Sequence, residues 1–193
     1  MKRITVFCGS SMGNNPIYGE IAFQLGVQMA KENLGLVYGG AKVGLMGKVA
    51  DGVLSLNGEV IGVIPEFLKT KEVAYAELED LRTVKSMHER KSLMNDLCDG
   101  VIALPGGFGT LEELFEMLTW AQLGLHEKPI ALLNVNGYYN ALITLLNNMV
   151  KEGLLRELNK DMVLVGKDVS TVLNLMRNYK APKVKKWITN EQT

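Results

Sequence analysis

Two cysteines, two histidines, no excess of either charge and no long apolar run: much of the reading follows from what this chain lacks. Cys8 and Cys98 lie far apart with no CxxC pair, and the only histidines are His88 and His126, so neither a disulfide framework nor a zinc site is indicated. Two reduced, mostly buried thiols and no metal are expected. Lysine plus arginine total 21 and aspartate plus glutamate total 21, so no global field draws the protein to nucleic acid or a membrane surface. Any anionic ligand must be held locally. No apolar stretch approaches the roughly 18 residues of a membrane span, and the short run in "MKRITVFCGSS" turns glycine-rich before it could serve as a signal sequence. The expectation is a soluble cytoplasmic protein. Both standard nucleotide loops, GxGxxG and GxxxxGK[ST], are also missing. The Gly-Lys pair of "GLMGKVADG" has no serine or threonine after it, so magnesium-dependent phosphoryl transfer is poorly supported.

What is present is a chain of 193 residues, 47% hydrophobic, enough for one domain with a well-buried core. Short runs rich in valine, isoleucine and leucine recur ("ITVF", "LGLVY", "EVIGVI", "GVIAL", "PIALLNV", "MVLV"). Between most of them lie helix-patterned segments such as "YGEIAFQLGVQMAKEN" and "YNALITLLNNMVKEG". This alternation predicts an α/β fold, a doubly wound, mainly parallel sheet with helices on both faces, over residues 1–180. Residues 181–193 read as a separate tail. Three predicted strands run into glycine: at Gly9 and Ser10, at Gly39 and Gly40, and at Gly106 and Gly107. In an open parallel sheet the ligand crevice lies beyond the carboxyl ends of the strands, so the three loops should line one site. Glycine lets backbone amides approach a phosphate, and the helix that follows offers unpaired N–H groups. A single such loop could merely be a tight turn. Three together favour a mononucleotide or another phosphorylated small molecule.

The segment "SMHERKSLMNDLCDG" reads as a helix beginning at Ser86, with Met87, Arg90 or Lys91, and Met94 on a common face and Ser86 and Glu89 at capping-box spacing. The basic pair is either a solvated turn or a grip on a phosphate or carboxylate. Thr110 and Glu113 also have capping-box spacing, yet the same stretch would place Thr110 and the amides of Gly107 to Thr110 on a phosphate and project a carboxylate into the crevice. The following "LEELFEMLTWAQLG" is apolar on more than one face, which suggests burial in a homodimer, with a central core helix as the alternative. Thr119 is then either satisfied by its own backbone or turned into the site.

"PGGFGTLEE" together with "MHERK" resembles the Lonely Guy family of cytokinin riboside 5′-monophosphate phosphoribohydrolases. The likeness extends through "FCGSS", "VYGGAKVGLMG" and "TWAQLGLHEKPIALLNVNGYYN", from about Ile4 to Leu155. It implies a Rossmann-like dimer, with the site near the subunit interface, that hydrolyses the N-glycosidic bond of a nucleoside 5′-monophosphate, usually an N6-substituted AMP. No cofactor is implied. The resemblance assigns the catalytic pair to Arg90 and Glu113, and substrate contacts to Lys91, Gly107, Phe108, Gly109, Thr110, Leu111, Glu112, Glu72 and Thr119. Gly9, Ser10, Gly39, Gly40 and Met87 join them from the loop and helix readings. The rival expectation is a nucleotide-binding or carrier module without catalysis, since fold does not dictate activity. Proteins with this motif have also been labelled lysine decarboxylases, but no lysine is evidently placed for a Schiff base.

Overall fold

The computed structural model describes residues 1–69 and 74–182. Along the chain run β1 (Arg3–Phe7), α1 (Ile17–Lys31), β2 (Gly35–Tyr38), α2 (Gly44–Leu54), β3 (Val60–Pro65), the single turn α3 (Glu66–Leu68), β4 (Asp80–Val84) and α4 (Met87–Leu97). There follow β5 (Gly100–Ala103), α5 (Phe108–Gln122), β6 (Ile130–Leu133), α6 (Asn140–Lys151), the short α7 (Glu157–Lys160), β7 (Val163–Gly166) and α8 (Val169–Asn178). Every strand pair is parallel, and the order across the sheet is β4-β3-β2-β1-β5-β6-β7. This is the Rossmann-like, doubly wound arrangement. The chain steps outward from β1 to β4 and then returns to place β5 on the other side of β1. The loops leaving β1 and β5 therefore diverge, and a crevice opens between them at the topological switch point.

Side-chain alternation along the strands builds two cores. Ile4, Val6, Leu36, Tyr38, Ile102 and Leu104 pack with Leu25, Met29, Val49 and Leu173 of α1, α2 and α8 on one face. Phe7, Val37, Val101, Ala103 and Leu132 pack with Met94, Leu114 and Met117 of α4 and α5 on the other. Strands buried on both faces read as continuous apolar runs, which is why the five inner strands were expected, and the edge strand β7 was expected as well because its "VLVG" is apolar although only part-buried. β4 was not. Its "DLRTV" pairs on one side only, lies at the sheet edge, and carries an Asp80–Arg82 ion pair at 2.9 Å.

Two helix starts fix the site. Ser86 caps α4 by accepting the Glu89 N–H at 3.1 Å, while the Glu89 carboxylate accepts the Lys85 N–H at 2.7 Å. At α5 the expected Thr110–Glu113 box is not formed. That helix begins at Phe108, with Gly107 as its N-cap and no side-chain cap. Thr110 thus lies within the first turn, and Glu113 is one turn further on, too far inside to reach the end. Its carboxylate is free for another partner. The expected tail lies almost wholly outside the described residues.

Candidate active site

A cavity of about 460 Å³ lies at the carboxyl ends of β1, β2, β3 and β5. Its floor is held together by backbone bonds between loops: the Gly9 N–H donates to the Pro105 carbonyl, and the Leu45 N–H donates to the Gly9 carbonyl, each at 3.1 Å. Gly9 and Ser10 enter from the first loop and Gly39 from the second, while Gly107, Phe108, Gly109 and Thr110 form the opening turn of α5. A side chain at Gly106 would run into Thr110, so the residue before the cap must be glycine for the turn to close this tightly. A side chain at Gly107 or Gly109 would meet nothing within 4 Å, so this turn faces open space. The amides that begin a 15-residue helix have no carbonyl partners within it, and with the helix dipole they suit an anion. Phe108, 94% exposed, stands at the rim.

Arg90 of α4 and Glu113 of α5 meet inside this cavity, each only 8% exposed. Arg90 Nη1 donates to Glu113 Oε1 at 3.1 Å, and Arg90 Nε donates to the Val63 carbonyl at 3.0 Å. The guanidinium is thereby oriented by main chain as well as by its counter-ion. Gly39 gives it room, since a Cβ there would collide with Arg90 Nη2 and with the Met46 methyl group. Burial pushes the Glu113 carboxyl above the usual range, with the Arg90 charge opposing that shift. The structure thus holds a desolvated carboxylate and the opening turn of a helix in one cavity. Phe7, Met46, Ile64, Leu68 and Met94 supply an apolar wall around it.

Other residues assigned to substrate lie elsewhere in the single chain. The Lys91 ammonium is taken up by Glu112 at 2.6 Å and Glu116 at 3.0 Å, bridging α4 to α5 outside the cavity. Thr119 donates to the Phe115 carbonyl at 2.7 Å and is exposed on α5, the self-satisfied alternative. Met87 is exposed at the start of α4, and Leu111 packs partly against the second core. Gly40 does not line the cavity; its φ of +74° lets the chain turn closely over Ile64 and Leu81. Glu72 lies outside the described residues. Sequence reading missed Tyr138 and Tyr139, whose hydroxyls donate to the carbonyls of Gly106 at 2.6 Å and Leu104 at 2.5 Å. They brace the glycine loop from behind. Asn134 Oδ1 accepts the Tyr139 N–H at 2.7 Å and so holds the brace itself. "NVNGYYN" is the signal in the sequence that carries them.

A family model described as "Possible lysine decarboxylase" matches residues 46–176. The chain is 44% identical over 178 residues to the cytokinin riboside 5′-monophosphate phosphoribohydrolase LOG7 of Arabidopsis thaliana, covering 92% of this chain and 82% of the relative. It is 46% identical over 178 residues to the cytokinin riboside 5′-monophosphate phosphoribohydrolase of Rhodococcoides fascians, covering 92% and 90%. Among solved structures, it resembles the molybdenum cofactor binding protein of Rippkaea orientalis, with a TM-score of 0.66 and 24% identity over 92% of this chain and 96% of that one. At that identity the likeness speaks for the fold. A pyridoxal group, which a lysine decarboxylase would use, needs a lysine for its Schiff base. Among the described residues that line the cavity there is no lysine, so they do not fit that group.

Proposed function

The chain belongs to the Lonely Guy family of cytokinin riboside 5′-monophosphate phosphoribohydrolases, and from this we propose that it hydrolyses the N-glycosidic bond of an adenosine 5′-monophosphate, plain or N6-substituted. The products are the free base and ribose 5-phosphate. The observation that carries the reading is a buried carboxylate, Glu113, one turn along the same helix whose opening amides face the cavity. A nucleotide with its phosphate on the amides of Gly107 to Thr110 would bring its ribose toward that carboxylate. Ser10 and the glycine turns at Gly9 and Gly39 complete the surround.

As the C1′–N9 bond breaks, its electron pair leaves with the base and positive charge grows on the ribose ring. A carboxylate beside C1′ stabilises that charge and can orient or deprotonate the water that adds to C1′. Burial strengthens the interaction because little water competes for the charge. The guanidinium of Arg90 would repel the ribosyl cation if it faced it directly. Its bonds to Glu113 and to the Val63 carbonyl support a positioning role, fixing the carboxylate before substrate arrives. We further propose a homodimer formed through the outer side of α4 and α5, and a cytoplasmic location, which two free, buried cysteines suit.

The test is to incubate purified protein with AMP and with N6-isopentenyl-AMP, beside Glu113→Gln, and to follow free base and ribose 5-phosphate by chromatography. Loss of one preorganised charge costs roughly 3 to 4 kcal/mol of barrier, so the variant should turn over about 100-fold more slowly or worse. Near-normal turnover would remove Glu113 from the mechanism. Binding without product from the wild type would favour a carrier.

A further inference from the structure

A second cavity, of about 300 Å³, lies on the other side of the glycine loops. We propose that it is a subsite for a neutral aromatic group esterified to the 5′-phosphate, so that adenosine 5′-phosphodiesters bind as well as the monoester. The proposal rests on the hydrolase reading for the position of the nucleotide. Gly9, Ser10 and Gly107 line both cavities, and they lie where that reading puts the phosphate. A phosphate held there faces two spaces, only one of which contains Arg90 and Glu113. The second, at about 300 Å³, is far larger than a phosphate, and the hydrolysis as proposed assigns it no role.

Its chemistry selects the occupant. Among the described residues that line it there is no lysine, arginine or carboxylate, and against them a second phosphate would find no counter-charge. The Tyr138 hydroxyl is already committed to the Gly106 carbonyl at 2.6 Å. What Tyr138 offers a ligand is therefore its ring, which meets the Tyr18 ring edge-on at 5.9 Å and 78°. Met12 and Leu45 continue this apolar lining. Such walls suit a planar, uncharged ring, which gains from aromatic contact as well as from burial.

The proposal is tested with adenosine 5′-phenyl phosphate and adenosine 5′-methyl phosphate as inhibitors of AMP hydrolysis by the wild type, Tyr18→Ala, Tyr18→Phe and Met12→Ala. The phenyl ester should bind about tenfold more tightly than the methyl ester to the wild type and to Tyr18→Phe. That preference should vanish in Tyr18→Ala and shrink about threefold in Met12→Ala, a change at an exposed rim that the fold tolerates, with KM for AMP within about twofold of wild type in both. Equal binding of the two esters by the wild type, rejection of both, or a preference that survives undiminished in Tyr18→Ala would overturn the subsite. If AMP is not hydrolysed at all, calorimetric titration of the same esters makes the same comparison. The hydrolase reading and the subsite can therefore fail separately.

Discussion

Gly39 has no side chain because Arg90 uses the space that one would fill. Alanine there would push against the guanidinium and the Met46 methyl group, both ends of flexible side chains, and not against backbone. The fold can yield, but the placement of Arg90 cannot survive unchanged. Gly39→Ala should therefore lower kcat/KM for AMP by about 100-fold, the cost typical of a misplacement near 1 Å, while the melting temperature moves by no more than about 3 °C. A fall in stability with activity intact would mean that Gly39 serves packing alone. Glu113 allows a second test at this scale. Its carboxyl is raised above the ordinary 4.5 by burial, with Arg90 opposing. Only the carboxylate can stabilise a cation, and a raised pKa means it protonates early as pH falls. The acid limb of kcat/KM should thus have its midpoint above 4.5, and Arg90→Gln should move that limb to still higher pH in whatever activity remains. A pH–rate profile with its limb at or below 4.5 would contradict this account.

Between α5 and β6 the chain turns around a histidine. His126 Nε2 must donate to the Met117 carbonyl at 3.0 Å, which leaves Nδ1 to accept the Lys128 N–H at 3.2 Å. A second proton on the ring would break the latter bond. Burial first, and then the Lys128 charge, lower its pKa from 6.5 to about 4. The unfolded chain therefore takes up this proton between pH 6.5 and 4 while the folded chain does not, and stability falls as the pH is lowered through that window. The loss reaches about 3 kcal/mol as the pH falls to the folded-state value of about 4. Urea unfolding of wild type and His126→Gln at pH 7 and at pH 4.5 should show the smaller pH dependence in the variant; equal dependence would show that carboxylates alone set the slope. The same elements show how far the sequence could be read. Strands buried on both faces announced themselves, and so did the apolar edge strand β7, whereas the edge strand β4 did not, because its exposed flank carries Asp80 and Arg82 and breaks the apolar pattern. Arg90 and Glu113 were legible as parts of two motifs. The divergence of Arg90 from Lys91 was not, since neighbours on a helix point about 100° apart and only packing decides which one enters the cavity. Tyr138 and Tyr139 stayed hidden because the carbonyls they hold are 32 and 35 residues away.

For the whole molecule, the residues left outside the cavity form a pattern of their own. Glu112, Phe115, Glu116 and Thr119 follow one another at helical spacing on α5, beside Lys91 of α4, and Met87 lies one turn before Lys91 on that helix. Leu111, Phe115, Leu118 and Trp120 are only half-buried by the single chain, an unusual apolar load for a helix facing water. A two-fold pairing through this side would bury those rings and bring Met87, Lys91 and Thr119 toward the partner's cavity, giving the proposed dimer and the substrate contacts a common explanation. Light scattering should then give twice the mass of one chain. Phe115→Glu, which sets a charge in the contact and leaves Arg90 and Glu113 untouched, should give a folded monomer with at least about tenfold lower kcat/KM, because the partner's contribution is lost. A wild type that stays monomeric at working concentration and is fully active would detach the site from any partner. A monomeric variant with unchanged kcat/KM would leave the dimer in place and confine each site to its own chain.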